Sequence, residues 1–250
     1  RVNLLYPFAG KVLVGATDIA QSDPDIATCT DDEVSYLCDA VAEVFPDIPI
    51  RPEQVVHRFC GVRPLPRADG DVGSVTRDHS IVTLSLPAAP VPVHCLIGGK
   101  WTTFRAFAEL ATDRALADLG LPRRVTTAGL AIGGGRDFPR DGQARREYVA
   151  KLALTGGITP TRAEALLSRY GTRALAFCAT LRGRSETMLT EAPDHSVEEI
   201  RHLAATEKVG GLDDIIHRRT LIGLLGGDSP ALRAELASVL EGAPERRESA

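Results

Sequence analysis

A change of pattern near Gly120 constrains this chain more than any other feature. Before it, β-branched runs alternate with helical spacing; after a Gly/Pro-rich stretch, from Asp141 on, only helical spacing remains. A chain patterned this way is expected to be α+β, with its strands confined to the first part and an all-helical domain at the end. The expected boundaries are a mixed domain over 1–120, a linker over 121–140 and a helical domain over 141–250.

In the first part, Lys11 to Asp18 predicts a strand, as do Gln54 to Val62, Ser80 to Leu86 and Val91 to Ile97. Thr30 is an N-cap followed by three acids, and Val34, Leu37, Val41 and Val44 continue at helical spacing up to Pro46. A second helix is expected from Thr102 to Leu119. In the second part, helices are expected over Gly142–Leu154, Pro160–Ser168, Thr172–Thr180, Val197–Glu207, Leu212–Arg218 and Pro230–Leu240. Thr159-Pro160 and Ser229-Pro230 are good starts, and Ser196 with Glu199 forms a capping box.

The 250 residues carry 29 Lys+Arg against 33 Asp+Glu, a formal charge of −4. No clustered basic surface follows from that balance, so nucleic acid is not an expected partner. The longest apolar run, Ile81 to Ile97, is interrupted by Pro87, Pro90 and Pro92 and is too broken for a membrane span. The five cysteines show no CxxC spacing and no zinc pattern, which predicts buried unpaired thiols, no metal and a cytoplasmic setting. The chain opens at Arg1 without a Met, already strand-like, and reads as a piece of something longer.

Four segments carry candidate chemistry. Gly61 to Arg67 (GVRPLPR) ends a strand and places Arg63 before Pro64, either solvated or aimed at an anion. Thr76 to Ser80 (TRDHS) offers Arg77, either ion-paired at the surface or a second guanidinium for a phosphate. It also offers His79 as a candidate proton acceptor. Ile97 to Arg105 (IGGKWTTFR) passes from a strand through Gly98 and Gly99 into a helix. It is either a plain turn or a helix N-terminus, with Lys100, Trp101, Thr102 and Thr103, facing an anionic group. It is not a Walker loop. In Gly15 to Asp18 (GATD), Thr17 can donate to a ligand or simply end a strand. The histidines at 57, 94, 195, 202 and 217 have no catalytic or metal-site partner pattern and read as structural or solvated.

Taken in this order, the four segments resemble the FAD-dependent glycerol-3-phosphate dehydrogenases. Arg169-Tyr170-Gly171-Thr172 and Arg218-Arg219-Thr220 resemble that family's C-terminal segments as well. Family members carry Leu and Tyr where Trp101 and Phe104 stand. The resemblance implies part of a flavoenzyme's substrate-domain sheet with flanking helices, followed by the helical C-terminal domain. It implies FAD as cofactor, glycerol 3-phosphate oxidised to dihydroxyacetone phosphate, and a quinone or other electron acceptor. The family's GxGxxG pyrophosphate fingerprint has no counterpart here, since Gly133-Gly134-Gly135 lies in no strand–turn–helix frame. The N-terminal FAD-binding segment is therefore an expected partner, and a homodimer is an expected assembly.

By the same resemblance, Arg63, Arg77 and Lys100 hold the substrate, with Thr17 a further contact. Arg63, Lys100 and His79 are the candidate catalytic groups, and Gly98, Gly99, Lys100, Trp101, Thr102 and Thr103 lie against the flavin. The expected location is the cytoplasm, peripheral at the inner face of the plasma membrane. Two alternatives stay open: a related FAD-dependent amine or 2-hydroxy-acid oxidase, and a non-catalytic remnant serving assembly.

Overall fold

A computed structural model describes residues 4–62, 78–87, 90–98 and 100–241. The fold is α+β. Two antiparallel hairpins supply all the paired strands among the described residues. Strand β1 (Leu4–Phe8) pairs with β2 (Lys11–Gly15) across a two-residue turn, Ala9-Gly10, in which both residues have positive φ. That is the twist a tight hairpin needs. Helix α1 (Asp31–Val44) starts as expected: the Thr30 hydroxyl accepts from the Glu33 N–H, and the Glu33 carboxylate accepts from the Thr30 N–H at 2.9 Å.

Strand β3 (Ser80–Leu84) pairs with β4 (Val93–Ile97), both shorter than the sequence suggested, and α2 spans Phe104–Asp118. His94 lies beside Thr83 across the hairpin, its Nδ1 2.9 Å from the Thr83 hydroxyl and its Nε2 2.5 Å from Asp118 Oδ2. The structural reading of this histidine holds: it stitches the hairpin to the end of α2.

The strand expected over Gln54 to Val62 does not form. Pro52–Gln54 is a single 3-10 turn, and 55–62 is irregular. Specific local contacts take the place of a ladder. Arg51 N–H donates to Gln54 Oε1 at 2.8 Å, Arg58 pairs with Asp31, and Val56 lies against Gly226.

The helical part comprises α3 (Gly142–Gly156), α4 (Pro160–Tyr170), α5 (Ala174–Thr180), α6 (Val197–Thr206), the single-turn α7 (Leu212–Asp214) and α8 (Pro230–Glu241). Asp141, Thr159 and Ser196 cap α3, α4 and α6 with their side chains. α7 runs into a π-helical turn over Ile215–Arg219, closed by the Thr220 N–H on the Ile215 carbonyl at 3.0 Å. By contacts the chain divides into two units: Arg1–Gln54 with Arg58–Leu130, and Val55–His57 with Ala131–Ala250. The second contains nearly all of the core. Leu152, Leu166, Leu167, Phe177 and Leu181 fill one cluster, and Ile200, Ile215, Ile216, Leu232 and Leu236 another. In the first unit only Ala40 and Val41 are buried among the described hydrophobic residues.

The Gly triplet of the linker has a packing role. Gly133–Gly135 form a 3-10 turn against the start of the Gly171–Arg173 turn. A Cβ on Gly134 would sit 2.0 Å from the Tyr170 carbonyl oxygen, and one on Gly171 2.4 Å from that of Gly134. The Thr172 hydroxyl closes the contact, lying 3.0 Å from the Gly134 carbonyl oxygen and 2.7 Å from that of Arg136. The thiols differ from expectation. All five are unpaired, but only Cys178 is buried; Cys60 is exposed and the other three are half-buried. Cys29 and Cys60 lie in loops, Cys38 in α1 and Cys95 in β4, none of which encloses its thiol.

Candidate functional site

The β3–β4 register brings two of the candidate segments together. Ser80 pairs with Ile97, so His79 and Gly98 stand just beyond the paired ends. Gly98 has φ +73°, and a Cβ there would lie 2.8 Å from the Asp78 carbonyl oxygen. Only glycine meets both demands, so the residue holds the two segments in close approach. The His79 ring packs against Phe107 of α2 with centroids 4.6 Å apart and 31° between planes.

Past Gly98 the chain makes a 3-10 turn over Trp101–Thr103 and enters α2. Thr103 is spent on the turn itself: its hydroxyl accepts from the Lys100 N–H at 3.1 Å, and its N–H donates to the Lys100 carbonyl at 2.9 Å. Among the described residues no side chain caps the start of α2, and none of its first-turn residues is acidic. Such a helix start is electropositive. Lys100 is exposed beside it, and Trp101 is 97% exposed. A flavin's electron-rich N1/O2 edge fits this arrangement: an uncapped helix start with a lysine at its mouth and a close-packed glycine before it. The residues that would hold it are Gly98, Lys100 and the Trp101–Thr103 turn.

Thr17 is engaged by a side chain of α1. Its hydroxyl donates to the Glu33 carboxylate at the head of α1. That bond, with those from Thr30, holds Glu33 below the usual carboxylate range. Arg63, Arg77 and Gly99 lie outside the described residues. The structure thus gathers His79, Gly98, Lys100 and the Trp101–Thr103 turn at one end of the second hairpin.

The helical part holds a charged cluster built on Glu199, expected as part of a capping box, and on the Arg169-Tyr170 segment, expected to pack and form ion pairs. Glu199, fully buried, accepts from Arg162 Nη2 at 2.7 Å, Arg169 Nη1 at 3.1 Å and the Tyr170 hydroxyl at 2.5 Å. Glu186 accepts from Arg162 Nη2 and the Ser196 hydroxyl at 2.9 and 2.7 Å. Only half of the expected capping box therefore forms. Ser196 receives the Glu199 N–H at 3.1 Å, while the Glu199 carboxylate turns to the arginines. Burial works against charge on Glu199, but Arg162 foremost overrides it and leaves the carboxyl below its ordinary value. Burial likewise opposes the Arg162 charge, and the two carboxylates more than offset it. The available signal was an acid on the stripe shared by Ser196, Ile200 and Leu203. The cluster is saturated with internal partners, which suits it to holding helices together.

Comparison with known proteins agrees in both parts of the chain. Residues 1–114 match the family model described as FAD dependent oxidoreductase. Residues 125–242 match the one described as the C-terminal domain of alpha-glycerophosphate oxidase. A probable mitochondrial glycerol-3-phosphate dehydrogenase of Dictyostelium discoideum is 29% identical over 250 residues, covering 95% of this chain and 37% of that protein. A glycerol-3-phosphate dehydrogenase of Synechocystis is 29% identical over 91% of this chain and 41% of its own length. A D-erythritol 1-phosphate dehydrogenase of Brucella abortus is also 29% identical, over 88% and 43%. The chain spans about two fifths of the length of these relatives. The two matches follow one another along nearly the whole chain, a region like the FAD dependent oxidoreductase model first and one like the C-terminal domain of alpha-glycerophosphate oxidase behind it.

Proposed function

We propose that this chain forms the substrate-facing part and helical C-terminal domain of an enzyme that oxidises glycerol 3-phosphate at C2 to dihydroxyacetone phosphate. The observation that supports this best is the close approach of Gly98 to Asp78 and His79 just before Lys100 and the uncapped start of α2. That is where an anionic substrate and an electron-rich ring would both find positive potential. When bound, the flavin supplies the acceptor for the hydride leaving C2. This chain's own residues bind and orient. Lys100, with Arg63 and Arg77, holds the phosphate and polarises the C2 oxygen, and His79 receives the C2 hydroxyl proton. A quinone or other acceptor takes the electrons onward, and a second copy of the chain is the proposed assembly partner. The cytoplasmic face of the membrane is the proposed location.

The test is steady-state kinetics of the complete enzyme with a dye acceptor. Lys100→Ala or Arg63→Ala is expected to lower kcat/KM for glycerol 3-phosphate by at least about 100-fold, or ~3 kcal/mol, as for truncating a buried charged contact. Unchanged kinetics would remove that residue from the site, and no turnover by the unaltered enzyme would sink the reading. A longer polyol phosphate is the second reading, favoured by the equal similarity to the erythritol 1-phosphate enzyme. A higher kcat/KM for erythritol 1-phosphate than for glycerol 3-phosphate would select it.

A further inference from the structure

Two cysteines far apart in sequence line one cavity in the first unit, and nothing in the proposed oxidation uses them. The segments around residues 27–31 and 58–60 cross antiparallel and are pinned at two points. At one, the Cys60 thiol lies 3.2 Å from the Ala27 carbonyl oxygen. At the other, Arg58 pairs with the Asp31 carboxylate. Cys29 falls midway between the pinned positions of its own segment, and Cys29 and Cys60 line one open cavity with Arg58 and Asp31. Burial pushes the Cys29 thiol up, with Glu33 next in the same direction, Arg58 opposing and the Cys60 charge adding to the rise. Cys60 is the more exposed of the pair.

We propose that Cys29 and Cys60 are a redox pair that closes to a reversible disulfide, with hydrogen peroxide as the oxidant. The Cys60 thiolate attacks one peroxide oxygen, the O–O bond breaks, and hydroxide leaves to become water. Cys60 becomes a sulfenic acid, oxidised by two electrons, and the peroxide is reduced by the same two. The Cys29 sulfur then attacks the Cys60 sulfur. The S–S bond forms, the S–O bond breaks, and the departing hydroxide takes the Cys29 proton as a second water. A dithiol reductant reverses the bridge. The exposed cysteine starts the sequence and the more sheltered one resolves it, the order that access to peroxide dictates. The two flanking contacts hold the segments that carry the two cysteines against one another, and closing the bond requires their Cβ atoms to come to about 4 Å. The bridge would anchor Cys60, three positions before Arg63, to the chain that enters α1.

The test is peptide mapping of the full chain. The folded protein is treated with graded hydrogen peroxide, free thiols are alkylated, and digestion follows without reductant. The expected product is one linked pair, the Cys29 and Cys60 peptides, which separates on adding dithiothreitol. Cys29→Ser is expected to leave Cys60 as a sulfenic acid that dimedone traps, and Cys60→Ser to leave Cys29 fully alkylable. The same treatment in urea is expected to scatter cross-links among all five cysteines. Linkage of Cys60 to Cys38, Cys95 or Cys178 in the folded chain would overturn the proposal. So would Cys60 going on to sulfinic acid while Cys29 stays alkylable, or the same pairing pattern in folded and urea-treated protein.

Discussion

The Glu199 carboxylate, fully buried, accepts from two guanidinium groups and a phenol, so it is ionised where burial alone would neutralise it. Removing it leaves Arg162, 11% exposed at its side chain, without half of its compensation. Glu199→Ala is expected to cost about 3–5 kcal/mol, as for breaking a buried ion pair, measured from the urea unfolding curve. His195 sits beside this cluster, 7% exposed, with a buried Nδ1 that has no partner among the described residues. Burial foremost lowers its pKa from 6.5 to about 4. In the unfolded chain the ring protonates near 6.5, so stability is fully present above that pH and falls as pH drops from 6.5 toward 4. The loss is on the order of 3 kcal/mol, at about 1.4 per pKa unit. Glu199, also lowered, adds a loss in the same direction below its ordinary 4.5. Unfolding curves at pH 7, 5.5 and 4 check this: His195→Gln is expected to flatten the slope above pH 4.5 and keep the one below.

Each element boundary that rests on a cap was legible, because capping involves residues only three apart. Thr30 with Glu33 and Thr159 with Arg162 cap as expected, and those helices begin where the sequence places them. Strand pairing was not legible to that degree, because a strand exists only with its partner and pairing depends on distant chain. The run from Gln54 to Val62 has strand-forming residues but side-chain contacts instead of a ladder. The glycines at 133–135 likewise carried no local meaning; their role becomes visible only against Gly171, which approaches from the end of α4. Gly134→Ala is expected to force those turns apart and cost at least about 1–3 kcal/mol, read as a shift of the urea midpoint. Gly133→Ala and Gly135→Ala meet other limits: a Cβ at either has open space, although Gly133 has positive φ, so the Gly135 variant is the neutral control.

Across the molecule, burial is unevenly shared between the two units. The helical unit has two clusters of fully buried side chains, while the first unit leaves Leu4, Tyr6, Val12, Trp101 and Phe104 exposed among others. Two-stranded hairpins with so little core are marginal. Amide protection after hydrogen exchange is therefore expected to concentrate in α3–α6 and α8, with β1–β4 exchanging rapidly; equal protection in both would contradict this. The GxGxxG pyrophosphate fingerprint has no counterpart in the sequence, so the 250-residue chain alone is expected to bind FAD weakly, as checked by fluorescence titration. A stoichiometric yellow protein would refute it.

The family resemblance, the α+β class and the helical starts could all be read from the sequence, since each depends on local periodicity or on a few residues in collinear order. Of the candidate site, the Gly98–Thr103 turn and His79 were recognisable as separate motifs. Their meeting depends on the β3–β4 register, and Thr17 turned out to be engaged at the head of α1. Whether Glu199 would cap a helix or anchor a buried ion cluster was decided by Arg162, 37 positions away. The cavity that Cys29 and Cys60 share was likewise decided by chain crossing, with 33 positions between Ala27 and Cys60. Local spacing encodes propensity and caps, whereas charge burial and thiol proximity are set by contacts that exist only once distant segments have closed on one another.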